Sequence, residues 1–249
     1  MSAFTIEIIP CLTDNYAYLV SGEGLVAVID PSEAAPVEAA LKGRRLTHIL
    51  NTHHHWDHSG GNRALKDRHG AEVVGPEKDR TRIPAIDTGV DESGWRLGPH
   101  ALAVLEVPGH TRGAVAYMFG DAVFTGDTLF AMGCGRLFEG TPQMMVESLA
   151  KFAALPDDTA VYCGHEYTVT NARFAMTLEP NNRALRERLA KVHAMRGHGM
   201  PTMPSTIGEE KATNPFLRTD SAEIRATLGL ETASAVEVFA AIRARKDRF

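Results

Sequence analysis

The chain begins with three short apolar stretches separated by polar and glycine-rich segments. Residues 5–9 alternate between apolar and polar side chains, and residues 16–20 and 25–29 are apolar, β-branched or aromatic. Stretches of this length and composition predict β-strands. The Ser-Gly-Glu-Gly sequence at residues 21–24 predicts a hairpin turn between the second and third of them. We therefore expect three strands at the start of the fold.

Helical and extended patterns then alternate along the chain. Apolar side chains recur near helical spacing in residues 31–43, which predicts a helix that ends at a glycine. Residues 46–50 predict a strand, a helix runs through Leu65, and residues 72–74 predict another short strand. Charge, proline and glycine dominate residues 77–94, so we expect irregular structure there. Alternating β and α elements indicate an α/β fold.

Strand patterns continue as far as residue 165. Apolar stretches of strand type occur at residues 101–107, 114–119, 122–127 and 160–165. His110, Asp127 and His165 each come after such a stretch and a glycine. Glycine lets the backbone turn sharply and lets neighbouring loops approach closely. These three residues are therefore candidate ligands at strand ends.

The pattern becomes helical after residue 166. Helices are predicted at residues 169–178, 181–195, 221–228 and 234–245, with a break at residues 197–204. We therefore expect two domains, a sheet-bearing domain of residues 1–165 and a helical domain of residues 166–249.

Composition narrows the class of protein. The chain has 249 residues, of which 44% are hydrophobic and 23% charged, as in ordinary globular proteins. Its net charge of −5 argues against nucleic acid as a partner. Three cysteines are too few for a disulfide framework, so we expect buried thiols and a reducing compartment. A signal peptide or membrane span is not expected, which makes the cytoplasm the predicted location.

One segment concentrates side chains that bind metals. Residues 51–62 read Asn-Thr-His-His-His-Trp-Asp-His-Ser-Gly-Gly-Asn. His53 and His55 are two positions apart, so an extended backbone would direct both side chains the same way. Asp57 and His58 are adjacent, and adjacent side chains in a turn usually diverge. Side chains of this one segment would then point in two directions, as expected if they bound two metals.

The alternative is that these histidines form a solvated loop. Side-chain packing gives no reason to place four imidazoles and a carboxylate in six consecutive positions, so we favour a metal site. His54 is expected to point away from the metals, and Trp56 is expected to pack. Nitrogen and oxygen donors of this kind suit zinc, and also iron or manganese.

The motifs of this chain resemble those of a known family along its whole length. Besides residues 51–62, they are residues 10–16 (Pro-Cys-Leu-Thr-Asp-Asn-Tyr), 108–111 (Pro-Gly-His-Thr), 126–130, 133–136 (Gly-Cys-Gly-Arg), 138–140, 163–167 (Cys-Gly-His-Glu-Tyr), 214–216 and the closing Arg-Lys-Asp. The chain resembles the metallo-β-lactamase superfamily and, within it, the hydroxyacylglutathione hydrolase (glyoxalase II) family. The resemblance implies a four-layer αβ/βα sandwich with the metals at one edge, followed by a C-terminal α-helical domain that helps to bind substrate.

The resemblance also assigns ligands. It implies that one metal is bound by His53, His55 and His110, and the other by Asp57, His58 and His165. Asp127 is implied to bridge the two metals. We therefore expect two divalent metal ions, zinc first, with iron or manganese as alternatives.

The activity implied is hydrolysis of S-D-lactoylglutathione to D-lactate and glutathione, the second step of methylglyoxal detoxification. A metal-bound hydroxide would attack the thioester, with Asp57 and Asp127 as the catalytic carboxylates. Contacts to the glutathione part of the substrate are implied for Arg136, Tyr167, Arg243 and Lys246, with Phe138 at a position where some members carry tyrosine. The competing interpretation of the basic C-terminal residues is that they complement a helix dipole.

Other functions of this scaffold agree less well with the sequence. A persulfide dioxygenase uses one iron on a similar scaffold, but its members usually lack the Arg-Lys terminus found here. A β-lactamase or a nuclease would leave the C-terminal helices unexplained, and a metal-binding module without activity would not need a complete ligand set. We expect a monomer that acts on a small glutathione thioester, with neither a nucleic acid nor a membrane as partner.

Overall fold

The structure is a computed structural model that describes residues 4–22, 24–97 and 100–249. The chain divides into two compact units. Unit 1 is Met1–Glu106 with Arg112–Gly126, and unit 2 is Val107–Thr111 with Asp127–Phe249. These limits differ from the predicted boundary between residues 165 and 166, which stays a prediction.

Unit 1 contains a six-stranded sheet in the order β1 to β6. Its strands are β1 (Thr5–Cys11), β2 (Asn15–Gly22), β3 (Leu25–Ile29), β4 (His48–Leu50), β5 (Glu72–Pro76) and β6 (Thr88–Val90). The first three pair antiparallel, as the predicted hairpin requires, although Glu23 in its turn lies outside the described residues. Strands β3 to β6 are parallel, so their carboxyl ends lie at the same edge.

Three helices connect these strands. They are α1 (Ala34–Leu41), α2 (Trp56–Ser59) and α3 (Asn62–His69). The buried side chains of α1 and α3 include Val37 and Leu65, which pack with Val28, Ile49 and Val73 of the parallel strands. Burying a methylene group stabilises the fold by about 0.8 kcal/mol, so this apolar cluster is the main stabiliser of the sheet. The parallel register aligns Ile29 with Leu50, the last residues of β3 and β4, so the loops that follow these two strands begin together.

Four further strands complete unit 1. They run antiparallel in the order β10-β9-β8-β7 and are β7 (Trp95–Leu97), β8 (His100–Glu106), β9 (Val115–Phe119) and β10 (Ala122–Gly126). Phe124 packs edge-on against Tyr18 of β2, with ring centroids 5.3 Å apart. Tyr117 donates a hydrogen bond of 3.0 Å to the Asn51 carbonyl, and burial raises its pKa well above the usual value. These contacts tie β9 and β10 to the segment that follows β4.

Unit 2 is mainly helical. Its strands are β11 (Leu129–Phe130), paired with β12 (Gly133–Cys134), and β13 (Ala160–Cys163), paired with β14 (Ser205–Thr206). Its helices are α4 (Pro142–Ala153), α5 (Thr168–Leu178), α6 (Arg183–Gly197), α7 (Ile207–Thr213), α8 (Ala222–Leu228) and α9 (Ala235–Lys246), with a 3-10 helix at Pro215–Leu217. Ser234 and Glu237 form a capping box at the start of α9. An apolar cluster of Met132, Ala172, Ala175, Leu185 and Val192 joins α5 and α6 to the β11–β12 hairpin.

Most of the predicted elements are confirmed, and the main exception is one long helix of unit 2. Helix α4 was not predicted, although Thr141 caps it and Pro142 occupies its first position. Helix α7, strand β14 and strand β6 were also missed, the last of these inside the segment expected to be irregular. All three cysteines are buried and form no disulfide, and burial raises the pKa of the Cys134 and Cys163 thiols to about 12.

Within the part of the chain that the structure describes, no helix has both the length and the apolar composition of a membrane span.

Candidate metal centre

The histidine-rich segment brings its ligand-type side chains together within unit 1. His53 and His55 direct ring nitrogens at each other, with Nε2 of the first 3.1 Å from Nδ1 of the second. The ring centroids of His53 and His58 are 4.2 Å apart. Two imidazole lone pairs at such short range repel unless a proton or a cation lies between them, so this geometry suits a bound metal. The expectation that spacing of two aligns His53 with His55 is confirmed.

Asp57 and His58 differ from the prediction. They lie in the four-residue helix α2, and Oδ2 of Asp57 is 3.7 Å from Nε2 of His58, so the two side chains converge. Successive side chains of a helix are about 100° apart around its axis, rather than on opposite sides as in an extended chain, so the ends of two adjacent side chains can still meet. The Asp57 carbonyl accepts hydrogen bonds from Asn15 Nδ2 at 3.0 Å and from Ser32 Oγ at 2.5 Å. Asn15 Nδ2 also lies 3.2 Å from Asp57 Oδ2, so the carboxylate is held in place.

The two intervening side chains behave differently from each other. His54 turns to Asp79, whose carboxylate lies 2.9 Å from His54 Nδ1 and is almost fully buried. A Cβ atom at Gly113 would lie 2.6 Å from that carboxyl group, so glycine makes room for it. The prediction that His54 points elsewhere is confirmed. The prediction that Trp56 packs is wrong, because its side chain is 71% exposed.

Asp30 is a site residue that the sequence analysis missed. It follows β3 directly, and its carboxylate accepts hydrogen bonds from Thr52 N at 2.7 Å and Thr52 Oγ1 at 2.6 Å. The same carboxylate accepts from His58 Nδ1 at 3.1 Å, while Thr52 Oγ1 accepts from His53 Nδ1 at 3.0 Å. Asp30 therefore sets the tautomer of both histidines and leaves Nε2 with the lone pair. Its position at a strand end, like that of Asp127, was the available signal.

Unit 2 holds the other three ligand-type residues. Asp127 follows β10, His110 follows β8, and His165 follows β13, as predicted. Nε2 of His110 and Nε2 of His165 lie 3.5 Å and 3.3 Å from the same Oδ2 of Asp127. His110 Nδ1 donates to the Arg136 carbonyl at 2.9 Å, which again leaves Nε2 as the nitrogen with the lone pair. One carboxylate oxygen between two imidazoles is an arrangement suited to a bridging ligand.

Glycine is required beside these residues. Gly126, at the end of β10, has a φ of +49°, a conformation that L side chains rarely adopt. A Cβ atom at Gly135 would lie 2.0 Å from the Asp127 carbonyl oxygen and 3.0 Å from His110 Nδ1. Only glycine at residue 135 allows that close approach, which explains the Gly-Cys-Gly-Arg motif.

The residues expected to contact glutathione lie in unit 2. Tyr167 stacks on His165, with the rings 4.7 Å apart and 5° from parallel, and Phe138 lies edge-on to His110 at 5.2 Å. Phe138 is 62% exposed, so its ring is available to a ligand. A pocket of about 450 Å³ is lined by Arg136, Phe138, Pro142, Ala240, Arg243 and Asp247.

Two basic side chains of α9 have different surroundings. Arg243 is buried and donates to the Cys134 carbonyl at 2.9 Å and to Asp247 Oδ1 at 2.8 Å and 3.0 Å. Lys246 places its Nζ 5.2 Å and 5.1 Å from the ring centroids of Phe174 and Phe249. Partial burial, and then the nearby charges of Arg243 and Arg136, lower the pKa of Lys246 to about 8. Arg243 is thus a buried structural cation, whereas Lys246 is a cation of reduced basicity.

The chain is similar to known proteins over nearly its full length. A family model described as the metallo-beta-lactamase superfamily matches residues 12–165, and one described as the hydroxyacylglutathione hydrolase C-terminus matches residues 166–249. The hydroxyacylglutathione hydrolase of Methylococcus capsulatus is 56% identical over 248 residues, which cover 97% of each chain. That of Brucella anthropi is 53% identical over 251 residues, which cover 98% of this chain and 96% of the relative.

Solved structures support the same fold. ETHE1 from Myxococcus xanthus matches with a TM-score of 0.66 and 27% identity, covering 98% of this chain and 97% of that one. The B3 metallo-β-lactamase BLEG-1 matches with a TM-score of 0.67 and 24% identity over 86% of this chain and 100% of that one, which shows the fold alone. The predicted fold class is therefore confirmed.

The described histidines and aspartates form clusters of the kind typical of a binuclear metal site in this superfamily. Together with full-length identities above 50%, these clusters confirm the predicted family. The chain belongs to the hydroxyacylglutathione hydrolase family of the metallo-β-lactamase superfamily.

Proposed function

We propose that the chain hydrolyses S-D-lactoylglutathione and related S-2-hydroxyacylglutathiones to the free hydroxy acid and glutathione. The observation that carries this proposal is the match of the whole chain, including the C-terminal helices, to hydroxyacylglutathione hydrolases. A β-lactamase function would not account for that C-terminal match. The similarity to ETHE1, at 27% identity, is much weaker than the similarity to these hydrolases.

The proposed ligand set follows from the family and from the geometry inside each unit. His53, His55 and His110 would hold one metal, Asp57, His58 and His165 the other, and Asp127 would bridge them. Support comes from the converging nitrogens of His53 and His55 and from the two imidazoles that face one oxygen of Asp127. Imidazole and carboxylate donors suit zinc, which we propose first, with iron or manganese as alternatives.

Bound metals would supply a nucleophilic water at neutral pH and a Lewis acid for the thioester carbonyl. The chain's own part is to hold the ligands in one protonation state. Asp30 and the Arg136 carbonyl do this by accepting the Nδ1 protons of His58 and His110. Asn15 holds Asp57, which we propose to orient the attacking water. The leaving thiol has a pKa of about 8.5, so the reaction needs little help from a general acid.

Glutathione carries carboxylates, and we propose that unit 2 binds them. Arg136, Phe138 and Arg243, which line the pocket, would contact the tripeptide there. Tyr167 and Lys246, which do not line the pocket, would supply further contacts to the tripeptide. Because Arg243 is already bonded to Asp247 and to the Cys134 carbonyl, Lys246 is the better candidate for direct contact. Phe138 offers a ring face without a hydroxyl group, so that contact is apolar.

The same proposal includes the organisation of the protein. Residues 1–165 would form the catalytic domain and residues 166–249 the substrate-binding domain. We further propose that the chain works as a monomer, and that it works in the cytoplasm, in keeping with three buried cysteines that form no disulfide.

The test is hydrolysis of S-D-lactoylglutathione, measured beside oxygen uptake on glutathione persulfide, with elemental analysis of the same sample. We expect thioester hydrolysis, close to two metals per chain, and oxygen uptake at the background rate. Oxygen uptake with one iron per chain and negligible thioester hydrolysis would overturn the proposal in favour of a dioxygenase.

A further inference from the structure

Side chains from the helices of unit 2 bind the backbone of the β11–β12 hairpin. Asn171 of α5 donates to the Ala131 carbonyl at 3.1 Å, and Arg243 of α9 donates to the Cys134 carbonyl. Asn214, which follows α7, donates to the carbonyls of Phe130 at 3.1 Å and Gly133 at 2.9 Å. Glu210 of α7 accepts from Met132 N at 2.8 Å. Five successive residues are thus each held by at least one helical side chain.

Glu210 is at the centre of this arrangement. It is fully buried, and one of its oxygens accepts from Met132 N and from Asn214 Nδ2 at 3.0 Å. The other oxygen accepts from Arg188 and from Ser205, each at 2.5 Å. A buried ion pair such as Arg188–Glu210 gains little net stability, because both charges lose their hydration. The Arg188–Glu210 pair is therefore more important for the groups that it positions than for the free energy of unfolding.

The hairpin conformation needs such support. Met132 has a φ of +53°, in the left-handed region that is unfavourable for a side chain other than glycine. At Gly133 a Cβ atom would lie 2.4 Å from Asn171 Nδ2, so the hairpin and α5 are in close contact. Local sequence preference alone would not select this turn.

One end of the hairpin leads to a ligand-type residue, and the other leads to the backbone acceptor that orients a second one. Asp127 lies two residues before β11, and Arg136 lies two residues after β12. Gly135 N donates to the Thr128 carbonyl at 3.3 Å, and the Arg136 carbonyl accepts the Nδ1 proton of His110. Any displacement of the hairpin therefore moves Asp127 and the acceptor that orients His110.

We propose that Glu210 and Asn214 are positioning residues for the metal centre, acting through the backbone of residues 130–134 on Asp127 and His110. The helical region then sets metal affinity in addition to binding substrate. This inference rests on the metal ligands assigned under the proposed function. It does not depend on which thioester is the substrate.

The experiment compares Glu210→Gln with Glu179→Gln. Glu179 is also a buried carboxylate of unit 2, accepting from Arg218 at 2.7 Å and 2.9 Å, Ser221 at 2.5 Å and Asn182 at 2.8 Å, but these partners lie outside the hairpin. Both variants lose one charge and keep the side-chain shape. Zinc affinity is measured by competition with a chromogenic chelator in the absence of substrate, and thermal unfolding is recorded on the same samples.

We expect Glu210→Gln to bind zinc about tenfold more weakly, at the lower end of effects seen for residues outside the ligand shell, and Glu179→Gln to bind it as the wild type does. Equal zinc affinity in the two variants, with similar losses of melting temperature, would show that Glu210 is only structural. If Glu210→Gln does not fold, Asn214→Ala is the second probe, because it removes the hydrogen bonds to the Phe130 and Gly133 carbonyls and keeps the Arg188–Glu210 pair. Unchanged zinc affinity in Asn214→Ala would then overturn the proposal.

Failure of the proposed function gives a different result. A wild type that binds two zinc ions and does not hydrolyse glutathione thioesters would contradict the substrate assignment, while the comparison of zinc affinities would still decide the role of Glu210. The kinetic readout agrees with the binding readout if Glu210→Gln lowers kcat at saturating zinc and leaves KM unchanged.

Discussion

The carboxylate of Asp30 accepts the Nδ1 proton of His58 across 3.1 Å, and both side chains are almost fully buried. Because Asp30 also accepts both the amide and the hydroxyl of Thr52, one carboxylate controls two histidines of the metal segment. Asp30 itself has a φ of +51°, so a non-glycine residue is kept in a left-handed conformation at this point.

The first prediction concerns this carboxylate. Asp30→Asn replaces a carboxylate, which only accepts hydrogen bonds, by an amide whose NH2 group can donate to Nδ1 of His58. The imidazole of His58 then loses its preference for the tautomer that carries the proton on Nδ1. We expect metal affinity to fall by roughly 10- to 100-fold, the usual range for partners of metal-binding histidines. Isothermal titration of the metal-depleted protein with zinc measures this, with Asp91→Asn as an exposed carboxylate control. Wild-type affinity in Asp30→Asn would contradict the tautomer argument.

The second prediction concerns Asp127. Since one of its oxygens faces both His110 and His165, removing the carboxylate in Asp127→Ala should weaken both metal positions at once. We expect the metal content to fall from about two ions per chain and turnover to fall by about two orders of magnitude or more. Elemental analysis after gel filtration measures the first effect. A fully active wild type with a single tightly held metal would refute the bridging role.

The third prediction separates geometry from the number of histidines. His55→Ala removes a nitrogen that meets His53, whereas His54→Ala removes a ring that contacts Asp79. We expect His55→Ala to lose metal and activity, and His54→Ala to retain metal and much of its turnover. His54→Ala should lower stability by about 1–3 kcal/mol, because the buried Asp79 loses one hydrogen-bond partner and keeps Arg82 at 3.5 Å. Equal metal loss in the two variants is the outcome that this geometry does not allow.

The fourth prediction distinguishes Arg243 from Lys246. Lys246→Ala should raise KM for the glutathione thioester about tenfold, the equivalent of one charge-assisted hydrogen bond, and leave kcat nearly unchanged. Arg243→Ala should raise KM and also lower stability, because Asp247 and the Cys134 carbonyl lose their donor. Steady-state kinetics and urea denaturation of both variants provide the comparison, and a small thioester without carboxylates is the control substrate. An unchanged KM in the double variant would assign binding to Arg136 and Tyr167 instead.

The fifth prediction is a dependence on pH. The pKa of Lys246 is lowered to about 8, so its charge disappears as the pH rises through 8, and kcat/KM for the anionic substrate should fall there. Lys246→Arg keeps its charge and should show no decline in this range. The contribution of Lys246 to stability changes with pH in the opposite direction. Between the folded pKa and the higher unfolded pKa, the unfolded chain binds more protons than the folded chain, so stability rises with pH. Equal pH profiles for wild type and Lys246→Arg would exclude Lys246 as the titrating group.

Sequence pattern predicted the parts of the centre that depend on local order. Strand ends located His110, Asp127 and His165, and the spacing of two aligned His53 with His55. Contacts between distant positions were not predictable in this way. Arg243 donates to a carbonyl 109 positions away in the sequence, and Glu210 accepts from an amide 78 positions away. Contacts between residues so far apart in the sequence produce no repeating pattern from which they could be predicted.

Trp56 and Asp57 show a second limit. The apolar character of Trp56 predicted packing, yet its side chain lies in solvent. The short helix α2 brought Asp57 towards His58 where a turn was expected to separate them. Four residues are too few for a helical period to appear in the sequence, so the local conformation had to come from the surrounding chain.

The way in which the β11–β12 hairpin is held affects which substitutions the chain can accept. Asn171, Glu210, Asn214 and Arg243 all address main-chain atoms of residues 130–134, which every amino acid supplies. These hydrogen bonds make no demand on the side chains of the hairpin apart from Gly133, although Phe130 and Met132 are buried and must remain apolar. The four positions that supply the hydrogen bonds cannot change without loss. Exchanges between apolar side chains of similar volume at residues 130 and 131 should accordingly be tolerated better than any exchange at residues 210 and 214, although the latter are farther from the ligand-type residues along the chain.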